Sequence, residues 1–217
     1  MFIGHNAVGF ASKRLTPRVS LGWLMAAPIL LDLLWPIFLL TGIEHVRIHP
    51  GDTRLTPLDF YDYPWTHSLA MSLAWSVAFA LLYYAISRYG RGALILGLGV
   101  LSHWVFDFFV HRPDLPLWPG GPKVGLGLWN HPMAEMAIEA GLFAIGILLY
   151  RDTTRPLDRT GSVGMWAFII FLAAIFVLNA GGTPPPSARM VAWMALALWL
   201  LPFWAAWFDR HRQVRVE

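Results

Sequence analysis

His103, Asp107 and His111 stand at i, i+4 and i+8 inside the apolar run Leu101–His111. Residues at those intervals project from one face of a helix. His131 and Glu135 repeat the i, i+4 interval at the start of another apolar stretch. Asp32 lies within Leu30-Leu31-Asp32-Leu33-Leu34, His67 within Trp65-Thr66-His67-Ser68, and His5 within Gly4-His5-Asn6. Neutral imidazole nitrogen and carboxylate oxygen are the donor set for Zn²⁺ or a similar divalent ion. Bound cations would also offset the cost of burying the carboxylates. The chain has no Cys, so thiolate ligands, disulfides and a Cys nucleophile are excluded. Glu139, one turn further along than Glu135, reads as a supporting residue; His45, His49 and His211 read as solvated.

The elements that must carry these residues are apolar. Of 217 residues 57% are hydrophobic and 13% charged, the charged share being about half that of a soluble domain. So much apolar surface cannot be buried in a soluble domain of this size, and low charge argues against disorder. The sequence predicts an all-α, polytopic membrane helical bundle forming a single integral membrane domain over 1–217. Six spans are expected at about 19–42, 67–87, 92–111, 131–150, 163–180 and 189–208. Residues 1–12 are too short to span and read as a half-membrane helix packed inside the bundle. Residues 1–150 then hold the metal-site helices, and 151–217 add two further spans.

The net charge is +3. No basic stripe is interleaved with exposed aromatics, so nucleic-acid binding is not expected. With the N-terminus cytoplasmic, eleven Lys and Arg fall inside (Lys13 to Arg215) and five outside (Arg47, Arg54, Arg112, Lys123, Arg189). That bias predicts both termini on the cytoplasmic side. Counting about 1.5 Å per residue, His103, Asp107 and His111 lie about 18, 24 and 30 Å from the level of Arg91. Glu135 and His131 lie about 24 and 30 Å from Arg151, Asp32 about 21 Å from Arg18, and His67 about 31 Å from Arg88. The candidates gather in the outer half of a core about 30 Å thick.

Gly4-His5, Asp32 in a Pro-flanked apolar helix, Thr66-His67-Ser68, His103-x-x-x-Asp107 and Leu117-Trp118-Pro119 resemble the bacterial inner-membrane family of membrane-bound, LexA-regulated, metal-dependent hydrolases. The resemblance covers roughly 1–150 and implies a bacterial inner-membrane location. Asp62 stands where many members carry a second His. The order of ligands is also similar to zinc-dependent phospholipase C and the S1/P1 nucleases, which use His, Asp, His, HxxxD, His and HxxxE. That similarity implies one zinc on Asp32, His67, His103 and Asp107 and a second on His111, His131 and Glu135. A third would use His5 with Asp107 bridging.

The expected function is a membrane-embedded zinc hydrolase, a phosphoesterase acting on a lipid or lipid-linked phosphate at the outer leaflet. Asp32 or Glu135 would orient the attacking water. The loops 43–66 and 112–130 would roof the site, and Arg54, Arg112 or Lys123 would receive phosphate charge. Two alternatives stand beside this: a non-catalytic metal-binding protein or divalent-cation carrier, and an intramembrane metal amidase of the alkaline-ceramidase type.

Overall fold

The structure is a computed structural model that describes residues 1–215. It is an all-helical bundle with three two-stranded β ribbons at its ends. In chain order the helices are α1 (Ile3–Leu15), α2 (Leu21–Ala26), α3 (Leu30–Leu40), α4 (Pro64–His67), α5 (Leu69–Ser87), α6 (Gly90–Val110), α7 (Pro132–Thr153), α8 (Arg159–Gly181), α9 (Ala188–Leu196) and α10 (Leu200–Asp209). Five segments are long and apolar enough to cross a membrane: α5, α6, α7, α8 and the α9–α10 unit, which a 3₁₀ turn joins into one rod. Their outer faces are unpartnered aliphatic surface, as at Leu81 on α5, Leu98 on α6, Leu148 on α7 and Ile170 on α8. A lipid-facing surface requires this composition.

The sixth expected span, 19–42, is not one helix. It breaks after Ala26 and resumes at Leu30. Pro28 causes the break, because proline has no N–H and its ring collides with the preceding turn. Pro36 disturbs the ladder again, removing the donor for the Asp32 carbonyl. Asp32 therefore sits between two proline defects.

α1 is the expected short helix, and it is central: Ile3, His5, Ala7 and Phe10 are all buried. It lies along α7 and also touches α2, α6 and α8. Close approach requires small residues. A Cβ on Gly146 of α7 would come within 2.5 Å of the Ala7 carbonyl oxygen. Below that contact Phe10 packs among Phe143, Tyr150 and Phe168, with ring centroids 5.3–6.1 Å away. At the end of the bundle holding the C-terminal segment, Lys13 Nζ donates to Asp209 at 2.8 Å and to the Val19 carbonyl at 2.9 Å. Asp209 also accepts from Tyr150 Oη and from the Leu21 backbone N–H. This buried lock ties α1, α2, α7 and α10 together.

At the opposite end, β1 (His45–Ile48) and β2 (Leu58–Asp62) form an antiparallel hairpin. β3 (Leu115–Pro116) pairs with β4 (Lys123–Val124) in the 112–130 segment. Arg112 fastens the two, reaching Asp59 at 2.7 Å, Asp52 at 3.1 Å and Asp114 at 3.1 Å. Partial burial works against its charge, but the Asp114 hydrogen bond and the three carboxylates hold the guanidinium pKa above its ordinary value. β5 (Thr154–Pro156) and β6 (Arg212–Val214) join the chain's C-terminal segment to the α7–α8 turn.

Candidate metal centre

Five of the singled-out residues converge beneath the hairpin end. Two overlapping triads bring their donor atoms within 4.8 Å of one another: His5, His103 and Asp107, and Asp32, His67 and His103. Asp107 Oδ2 is 3.0 Å from His103 Nε2 and 3.8 Å from His111 Nε2. Asp107 Oδ1 is 3.1 Å from His5 Nε2. Asp32 Oδ1 is 3.5 Å from His67 Nε2 and 3.8 Å from His103 Nε2. The His5 and His103 rings stack at 3.9 Å. Their elements explain the meeting. α6 supplies His103 and Asp107 one turn apart, the proline-broken α2–α3 segment supplies Asp32, the one-turn α4 supplies His67, and α1 inserts His5.

Each of three histidines is held by its Nδ1. His103 Nδ1 lies 2.8 Å from the Pro28 carbonyl, which the helix break has turned out of the ladder. His67 Nδ1 lies 2.7 Å from Thr66 Oγ1, and that hydroxyl donates to Glu44 Oε2 at 2.7 Å. His111 Nδ1 lies 2.9 Å from Asp114 Oδ1 and 3.2 Å from Tyr63 Oη. An Nδ1–H donating to an oxygen assigns the lone pair to Nε2, the arrangement found behind metal-ligating histidines. In all three, Nε2 faces Asp32 or Asp107. Around this shell, burial pushes the Glu44 carboxyl above its ordinary pKa against the hydrogen bonds from Thr66. Burial, and then the Asp114 charge, pushes the Tyr63 phenol up as well.

The donor set fits a divalent ion. His103 Nε2 is buried and makes no hydrogen bond despite lying 3.0 Å from Asp107 Oδ2. Two ligands at about 2.1 Å from a tetrahedral ion lie about 3.4 Å apart. The nitrogen–oxygen separations of 3.0–3.8 Å between Asp32 or Asp107 and the Nε2 atoms of His5, His67, His103 and His111 bracket that value. Because Nδ1 of His103 is occupied, its single free nitrogen belongs to both triads, and they outline one centre. Asp32, His67, Asp107, His111, Glu135 and Glu139 line a common cavity of about 400 Å³. Four carboxylates thus face one space, and among the described residues no Lys or Arg lines it.

The remaining expectations divide. Glu135 is buried at the cavity wall with Oε2 unpartnered. Glu139 receives the Phe2 and Gly4 backbone N–H groups at 2.8–3.1 Å, seating the start of α1, while the Met1 ammonium lies 2.7 Å from Asp107 Oδ1. His131 is exposed and falls outside both triads, since the helix N-terminus turns it away from the bundle. The HxxxE pair is therefore not brought together. Arg54 is exposed outside the cavity, and Lys123 is exposed with Nζ donating to the Tyr61 carbonyl. Arg112 is committed to its three aspartates. Leu55, Thr56 and Pro57 of the β1–β2 connection, Leu58 and Phe60 of β2, and Trp129 line the cavity. Asp62 pairs with His45 at 2.8 Å on the surface.

Spacing does not mark most of the residues behind the ligands. Thr66 beside His67, and Asp114 three residues after His111, carried a local signal. The Pro28 carbonyl and Glu44 did not, because both act across the fold. Comparison with protein-family models, with curated proteins and with solved structures finds no match to this chain.

Proposed function

We propose that the protein is a membrane-embedded, divalent-metal-dependent hydrolase acting on a phosphoester, with zinc the best-suited ion. The observation that carries this reading is the set of three histidines anchored through Nδ1, with Nε2 turned toward Asp32 and Asp107 in an open cavity. Asp32, His67, His103 and Asp107 would hold the ion. His111, with Asp107, would hold a second ion, whose charge would offset the carboxylates of the cavity. Such ions supply Lewis acidity and an activated water.

The protein's own groups divide the remaining work. Asp32 is engaged with His67 and His103, which suits a ligand. Glu135 has a free buried oxygen, which suits the general base. Glu135 takes a proton from the attacking water as the new P–O bond forms. The same proton passes to the leaving alkoxide as the old P–O bond breaks, so one water is consumed and an alcohol and a phosphomonoester are released. The hairpin and Trp129 limit access of bulk water.

A carrier is less well supported. Between the cavity and the Lys13–Asp209 lock the bundle is filled by Phe10, Leu24, Met25, Phe143 and Phe168, all buried. The reading is tested by metal analysis and phosphodiester turnover of purified wild type, Asp32→Ala and Glu135→Gln. Asp32→Ala is expected to lose both metal and turnover. Glu135→Gln is expected to keep metal and lose turnover by about 10²–10⁴. Full metal content in Asp32→Ala, or wild-type turnover in Glu135→Gln, would contradict the assignment.

A further inference from the structure

The cavity has a second half that the ligand motifs do not account for. Its polar floor is Asp32, His67, Asp107 and Glu135, but its far wall is hydrocarbon: Phe176 of α8 and Val191, Met194 and Leu198 of the α9–α10 rod. These residues belong to the two spans outside the ligand-bearing part of the chain. The packing explains why space remains between them. α8 rests on α10 and α1, whereas α9 rests on α3 and the hairpin, so α8 and α9 splay apart toward their connecting loop. Phe176 and Val191 are buried inside the splay, while Leu178 and Met194 stand exposed at its edge. Both edge residues lie within segments apolar enough to cross a membrane. The opening lies between these apolar edge residues and the α8–α9 connecting segment, where Asn179, Thr183 and Pro184 also line it, and a continuous space runs from it to His67 and His111.

We infer that the splay between α8 and α9 is the binding groove for the hydrocarbon chain of a membrane lipid, whose headgroup is thereby delivered to the metal centre. The inference rests on the hydrolase reading for what happens to the headgroup, though not for the seating of the chain. A lipid fits where another occupant does not. The wall is apolar, the floor is polar and acidic, and the opening is edged by Leu178 and Met194 of two membrane-length segments, so an amphiphile seated in the bilayer matches all three. The cavity volume of about 400 Å³ lies within the range of ordinary ligand sites. Van der Waals fit and headgroup capture drive occupancy from the bilayer, because a chain leaving lipid for an apolar groove gains little hydrophobic free energy.

The test is photocrosslinking in nanodiscs containing phosphatidylcholine with a diazirine near the chain terminus, with labelled residues mapped by mass spectrometry. Labelling is expected to concentrate on Phe176, Val191 and Leu198 above the lipid-facing Leu81, Leu98 and Leu148. Ala195→Trp, which fills the groove, is expected to reduce groove labelling to the level of those outer residues. Leu198→Phe serves as a milder filling variant, and metal content verifies that each is folded. Asp32→Ala separates the two readings: groove labelling is expected to persist when metal is lost. Labelling spread evenly over the lipid-facing surface, or undiminished in both filling variants, would overturn the inference and leave the metal-centre reading standing.

Discussion

Thr66→Val tests whether the hydroxyl behind His67 is part of a metal site. Thr66 Oγ1 lies 2.7 Å from His67 Nδ1 and 2.7 Å from Glu44 Oε2, and all three residues are buried. Valine keeps the shape and removes the oxygen. His67 then loses the acceptor that fixes its tautomer, at a cost of about 1–3 kcal/mol for the unpaired buried N–H. Glu44 keeps the Trp65 and Thr66 backbone donors at 2.7 and 2.8 Å, so the turn around α4 holds. Loss of such a supporting group costs about 10–100-fold in metal affinity, or about 1.4–2.8 kcal/mol. The two figures overlap, as they should if the stability term and the affinity term share one hydrogen bond. The assay is zinc competition against a chromophoric chelator with detergent-solubilised protein. Ser87→Ala is the control: it removes a hydroxyl that donates to the Tyr83 carbonyl at 2.8 Å at the far end of α5, and affinity should not move. A folded Thr66→Val protein that binds zinc as tightly as wild type would refute the anchoring argument.

Three further outcomes follow from the packing. Lys13→Met strips a buried ammonium from Asp209 and should destabilise the bundle by about 3–5 kcal/mol, toward the lower figure because Tyr150 and Leu21 still donate to Asp209; a denaturant titration in mixed micelles measures it. Arg112→Ala releases Asp52, Asp59 and Asp114 together, so proteolysis within 43–66 should accelerate while thermal stability of the spans changes little. Asp158 caps α8, and the Gly161 backbone N–H, followed by the His211 hydrogen bond, holds its pKa below the ordinary 3.8. A depressed carboxylate stabilises above its unfolded value and loses that contribution as pH falls through the folded one. The melting difference between wild type and Asp158→Ala should therefore be full near neutrality and shrink below about pH 4.

The convergence of His5, Asp32, His67, His103 and Asp107 was legible in the sequence for a definite reason. Each is a costly residue in an apolar segment, and the helical rise sets its depth, so residues at matching depth must either pair or face lipid. The α6 set needed only the i, i+4 rule. The same rule failed for His131 because it is the residue before Pro132 and caps α7 instead of lying within it, so the helical interval to Glu135 no longer fixes its direction. The continuous helix over 19–42 was misread because hydropathy averages over proline. Pro28 and Pro36 leave the apolar run intact while breaking its hydrogen bonds. Arg112 was legible as a charge but not as a spent one, since Asp52 and Asp59 reach it only after the hairpin folds.

The helix breaks and the site are one phenomenon. A straight helix through Pro28 would return its carbonyl to the ladder and leave His103 Nδ1 without its acceptor. A straight helix through Ser68, whose extended backbone ends α4 before α5 begins, would carry His67 around the axis and away from Asp32. Membrane segments tolerate such defects where the freed groups are buried in protein or line a cavity. Here the freed carbonyl is consumed by a histidine, and the free nitrogen of that histidine is left facing two carboxylates. Stability of the bundle alone would favour repairing both breaks. Their presence at the two positions that orient His103 and His67 is therefore an argument for selection on the centre rather than on the fold. It implies that Pro28→Ala should stabilise the apo bundle while weakening metal binding.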